Sequence, residues 1–139
     1  MKSFWIAGIL IVLGIIVAVA SWTFAPVCEV GGLYLQTTAG KQFPMACGYT
    51  ARAEIGIGSM IVFSGVALML VKNEVQKRVF GAFAGALGVL AIAFPTYLTG
   101  MCANPAHSCR TEAEPVLILT GLAVVAVGVG LVLMKPKRT

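Results

Sequence analysis

The residues able to do chemistry in this chain are few, and they cluster. Cys28, Cys47, Cys102 and Cys109 are its four cysteines, and Met45-x-Cys47, Met101-Cys102 and His107-x-Cys109 set thioether and imidazole groups beside three of them. An even number of cysteines in an oxidising compartment reads as two disulfides. Three pairings are open. The simplest joins Cys28 to Cys47 and Cys102 to Cys109, each closing its own loop; a pairing between loops would instead pin two parts of the molecule together. Closing a loop of about 15 residues stabilises by about 3 kcal/mol, by restricting the unfolded chain. For a small cap with little core, that is a sufficient structural reason for the cysteines.

Two other chemistries compete with the disulfides. Thiol–disulfide exchange works through a close pair in which one thiolate attacks and the other resolves. The layout resembles that of the DsbB-type quinone-linked oxidases, but the spacings here are CxxxxxxC and much wider, and Arg110 alone adjoins a cysteine. A soft-metal site for copper or zinc could draw on the Met, Cys and His ligands, yet disulfide formation would remove the thiolates. The structural disulfides are preferred, and no catalytic residue, metal ligand or cofactor is assigned.

Arg52 and Glu54 are the other candidates, at the edge of an apolar stretch. Two positions apart on a helix, they do not stack as an i,i+4 pair. They read as a solvated helix start or, functionally, as a partner-facing charge site. Apart from them, the apolar stretches hold no Asp, Glu, Lys, Arg or His, which argues against proton relays, ion sites and voltage sensing at depth. Thr111-x-x-Glu114 before Pro115 matches a capping box with proline at the helix start.

The elements that must position these residues follow from composition. Of the 139 residues, 59% are hydrophobic and 11% charged, where a soluble domain carries about 25% charged. The chain lacks the polar material to cover a soluble fold, and its hydrophobicity excludes disorder. Uncharged apolar stretches at 4–27, 55–71, 79–101 and 115–134 are each long enough to be a membrane span, since about 20 residues at 1.5 Å rise cross the hydrocarbon core. Residues 51–53 extend the second, giving spans of about 4–27, 52–71, 79–101 and 115–134. Lipid offers no partner to an unpaired amide, so the spans must be helical. The start, Met-Lys-Ser with an apolar run and Ala18-Val19-Ala20, also resembles a secretory signal; the run exceeds the usual length, and a retained signal anchor is expected.

Lys2, Lys72, Lys77, Arg78, Lys135, Lys137 and Arg138 fall on one side of these spans, seven of the ten basic residues. The positive-inside rule makes that side cytoplasmic, with both termini inside and the cysteine loops outside. The net charge of +5 is thus a topology signal rather than a nucleic-acid footprint. Trp5 at the inner edge, and Trp22, Tyr49 and Tyr97 near the outer one, suit the interfacial preference of aromatic rings.

The seven-residue connection 72–78 forces spans two and three to be antiparallel neighbours. Gly81 and Gly85 form a GxxxG, and Ala126 and Gly130 repeat the small-xxx-small spacing, which lets helix backbones approach. Packing inside the monomer is the preferred role; a homodimer or partner face is the other. A faint repeat relates TFAPVC to AFPTYLTGMC, each followed by a further cysteine and an Arg-x-Glu step, as duplicated hairpins about an axis along the membrane normal would show.

The blocks FAPVCEV (24–30), MACGYTARAEIGIG (45–58) and AFPTYLTGMCANPAHSC (93–109) together resemble a group of small four-span bacterial and archaeal membrane proteins, domain-of-unknown-function family 4418. The resemblance covers nearly the whole chain. In the family pattern His and Trp often stand where this chain has Gly48 and Tyr49, which weakens a metal site at Cys47. The resemblance implies no enzymatic activity; it implies association with ABC-type export machinery of the MacB/FtsX kind.

The expected protein is therefore all-α: an antiparallel four-transmembrane-helix bundle, a single domain, with a small disulfide-linked extracytoplasmic cap. It is expected in the cytoplasmic membrane, as a non-enzymatic accessory or scaffold subunit that meets the lipid bilayer and a membrane-protein partner or its own copies, and no nucleic acid. A thiol–disulfide oxidoreductase and a small transporter or metal-handling subunit are the alternatives.

Overall fold

The computed structural model describes residues 2–23, 34–43, 46–100, 106 and 109–134. Four helices account for most of them: α1 (Lys2–Thr23), α2 (Ala46–Leu70), α3 (Glu74–Ala93) and α4 (Glu114–Leu133). A π-helical turn at Phe94–Leu98 prolongs α3, and another at Cys109–Ala113 leads into α4. With these extensions, all four helices are long and apolar enough to cross a membrane. Strands β1 (Leu35–Gln36) and β2 (Gln42–Phe43) pair antiparallel between α1 and α2.

Buried positions recur every three or four residues, as one face of a helix must. On α1 they are Ala7, Leu10, Gly14, Val17, Ala20 and Ser21; on α4, Leu117, Gly121, Val124, Gly128 and Leu131. These faces enclose a core of Leu10, Ile61, Leu117 and Val124. The opposite faces show Phe63, Leu70, Val89 and Leu119 to the surroundings, which in lipid carries no penalty. Trp5 is exposed at one end of the bundle, and Trp22, Tyr49 and Tyr97 at the other.

Glycine sets the pairing. A Cβ on Gly58 would stand 2.6 Å from Ala18 N and Gly14 O, and one on Gly65 would stand 3.1 Å from Ala7 O, so α1 and α2 touch backbone to backbone. In the second hairpin, a Cβ on Gly128 would lie 2.6 Å from Gly81 O and 2.8 Å from Gly85 Cα. Gly81 and Gly85 therefore face α4 of the same chain, with Gly81 against Leu131 Cβ. This is the close approach that small residues permit where lipid removes the hydrophobic incentive.

Several expectations from sequence need correction. The second span begins at Ala46 rather than near residue 52, because Cys47 and Thr50 turn into the bundle and Thr50 Oγ1 bonds back to Ala46 O at 3.3 Å. The connection between spans two and three is three residues long, not seven. Asn73 caps α3 by accepting from Val75 N at 3.0 Å, and Glu74 pairs with Lys77 at 2.8 Å, which draws four of the polar residues into the helix. The N-cap of α4 is Ala113, without a side-chain bond, rather than Thr111, because a π-turn rather than a loop precedes the helix. The β-hairpin was not expected; its turn is closed by Gly40 N to Thr37 O at 2.9 Å, with Gly40 at φ 74°.

Candidate functional site

One end of the bundle carries Cys47, Cys109 and both π-turns; the other carries the α2–α3 connection and the end of α4, where Arg78 donates to Met134 O. Polar groups enter the core from the cysteine end. From the start of α2 inward, the buried face reads Cys47, Thr50 and Glu54, then Ile57, Gly58 and Ile61. Steps of three and four residues keep all of these on one side of the helix. Beyond Glu54 this face is apolar as far as Ser64, whose hydroxyl donates to Met60 O at 2.9 Å.

Glu54 is 0% exposed, and neither carboxylate oxygen has a hydrogen-bond partner. Its position eight residues into α2 sets it about 12 Å along the helix from Ala46. Ser21 of α1 is also 0% exposed, with its Oγ equally unpartnered. The contacts of Gly65 with Ala7 and Ile11, and of Gly58 with Gly14 and Ala18, fix the antiparallel register. Carried one turn further, that register brings Ser21 level with Glu54. An ionised carboxylate removed from water costs several kcal/mol unless an opposite charge joins it, and buried polar groups are otherwise almost always bonded.

Thr50 stands one turn above Glu54 on the same buried face. Its Oγ1 lies 3.1 Å from Gly100 O and within hydrogen-bond reach of Thr99 Oγ1. Pro95 makes this contact possible. It has no N–H to continue the α ladder, and the helix widens so that Thr99 N reaches Phe94 O at 3.2 Å. Gly100 N joins the same oxygen at 3.1 Å, and Gly100 turns the chain away with φ 69°. Single π-turns of this kind often accompany functional sites.

The family model described as a domain of unknown function (DUF4418) matches residues 10–134. The chain belongs to that family. Ser21, Thr50, Glu54, Thr99 and Gly100 all lie within the family match. No curated protein and no solved structure matches the chain.

The residues singled out from sequence are distributed unevenly. Arg52 is exposed while Glu54 is wholly buried. The two do not form one charge site, nor is Glu54 a solvated helix start; a separation of about 200° around the helix sends them to opposite faces. The span interiors therefore do contain an ionisable group. Cys47 and Cys109 are both buried and are not joined to each other, which removes the pairing that couples them. Cys28 and Cys102, as well as Met45, Met101 and His107, lie outside the described residues. Among the described residues no three His, Cys, Asp or Glu side chains gather as metal ligands. Ser21 and Thr50 escaped notice because a hydroxyl in an apolar run looks like an ordinary small residue. The signal was that Cys47, Thr50 and Glu54 share helical spacing.

Proposed function

We propose that the protein is a non-enzymatic accessory subunit of a membrane assembly, acting through the sides of its helices. The observation that carries this reading is where the protein has surface. Outside the helices and π-turns, the described chain amounts to a two-strand hairpin and short turns, while α1 alone presents Phe4, Trp5, Ile9, Val12 and Ile15 outward. A molecule shaped in this way meets partners laterally, in the plane of the bilayer, where packing of apolar and small side chains drives association. The family resemblance supports an ABC-type exporter of the MacB/FtsX kind as the partner.

The same reading includes a cytoplasmic-membrane location, both termini in the cytoplasm, and a cap stapled by disulfides from Cys28 and Cys102 to Cys47 and Cys109. Charge asymmetry supports the orientation, and the confinement of all four cysteines to the two sequence loops expected outside supports the staples. Affinity purification in mild detergent tests the reading. Transporter subunits should copurify in fixed proportion, and recovery of the chain alone from membranes that contain such a transporter overturns it.

A further inference from the structure

Glu54 has no role in lateral association, since no part of it reaches the surface. Among the described residues, no neighbouring element supplies its carboxylate oxygens with a hydrogen-bond partner. On α1, the group at its level is the Ser21 hydroxyl. On α2, Cys47 shares its face two turns away and Arg52 is exposed. The π-turn after α3 offers Tyr97, which is 91% exposed. The segment leading into α4 offers buried Cys109, exposed Arg110 and Glu112, and Glu114, which is 4.0 Å from Arg110. Buried charges persist in proteins when they are paired or coordinate ions, and ionisable residues inside spans mark ion and proton pathways. A partner small enough to enter a closed bundle is a proton or an alkali ion.

We propose that Glu54 and Ser21 form an intramembrane site for a monovalent cation, which enters from the cysteine end past Thr50. The carboxylate supplies the charge and Ser21 Oγ a further oxygen; the apolar layer of Ile57, Ile61 and Leu10 closes the far side. Access is therefore from one side. Thr50, held by Thr99 and Gly100 O, is the group that must yield. A proton and an alkali ion share this chemistry. The site stands or falls independently of the accessory reading.

The test is carbodiimide labelling of the full chain in lipid vesicles. Dicyclohexylcarbodiimide enters membranes and reacts with carboxyl groups that carry a proton; the modified peptide is read by mass spectrometry, with Glu54→Gln as the blank. Glu54 should be modified, and the modification should fall at least about tenfold either as pH is raised or as sodium or potassium replaces choline at fixed pH. The first pattern assigns the site to protons and the second to alkali ions. Ser21→Ala should displace whichever dependence is seen, and Ser21→Thr, which keeps the hydroxyl, should retain it. Modification of Glu54 only after denaturation in dodecyl sulfate, or to the same extent under every pH and cation, overturns the proposal.

Discussion

The antiparallel register of α1 and α2 sets Ser21 level with Glu54; both are wholly buried, and none of their three side-chain oxygens has a hydrogen-bond partner. Soluble proteins seldom tolerate such a pair. In a bundle whose other buried side chains are mostly aliphatic, it is the place where stability has been given up.

Glu54→Met should therefore stabilise the bundle, by about 1–3 kcal/mol, as when well-packed apolar residues replace buried charge. Thermal unfolding in detergent, in choline buffer, measures it. A loss of stability would show that the carboxylate is bonded in the folded protein.

The glycines divide into contact and non-contact positions. Gly58→Val would drive a branched side chain into the backbone of α1, where even a Cβ stands 2.6 Å from Ala18 N. It should cost about 3 kcal/mol or more, at the upper end of overpacking penalties, and appear as polydispersity in size-exclusion chromatography. Gly56→Ala, with nothing within 4 Å of the new Cβ, should remain monodisperse.

Pro95 and Thr50 should be energetically coupled. Thr50→Val is expected to cost about 1 kcal/mol for its lost hydrogen bonds. Pro95→Ala lets the α ladder continue, rotates Thr99 away from Thr50 and should produce a similar loss. The double substitution should then be less destabilising than the two single losses added. Strict additivity in a thermal double-mutant cycle would separate the π-turn from Thr50.

Orientation can be read by labelling. In intact cells, a cysteine at Asn73 should resist a membrane-impermeant thiol reagent, while one at Gln36 on β1 of the hairpin should react. The reverse pattern would place the basic end outside.

The four spans were legible because a run of about 20 apolar residues has one physical solution in lipid. Their ends were less so. Hydropathy ends the second span near Arg52, but Cys47 and Thr50 are buried by contacts with other helices, and that information is tertiary. Asn73 was a visible capping residue, yet the charges around it look like a loop. The small-residue spacing of Gly81 and Gly85 predicted close helix contact, and the structure identifies α4 as the contacting helix. Glu54 lies elsewhere than the sequence suggests: one carboxylate beside an arginine reads as solvated until the helix is known to start eight residues earlier.

Each hairpin is closed by its own backbone. Gly14, Gly58 and Gly65 have their nearest neighbours between α1 and α2, and Gly81, Gly88, Gly121 and Gly128 theirs between α3 and α4. The order of synthesis inherits this division. A nascent chain can complete the backbone contacts of its first half before the third helix has joined the membrane, and a chain cut after Asn73 would leave a closed hairpin rather than two loose spans. Ser21 and Glu54 would already be brought level in that half-made protein.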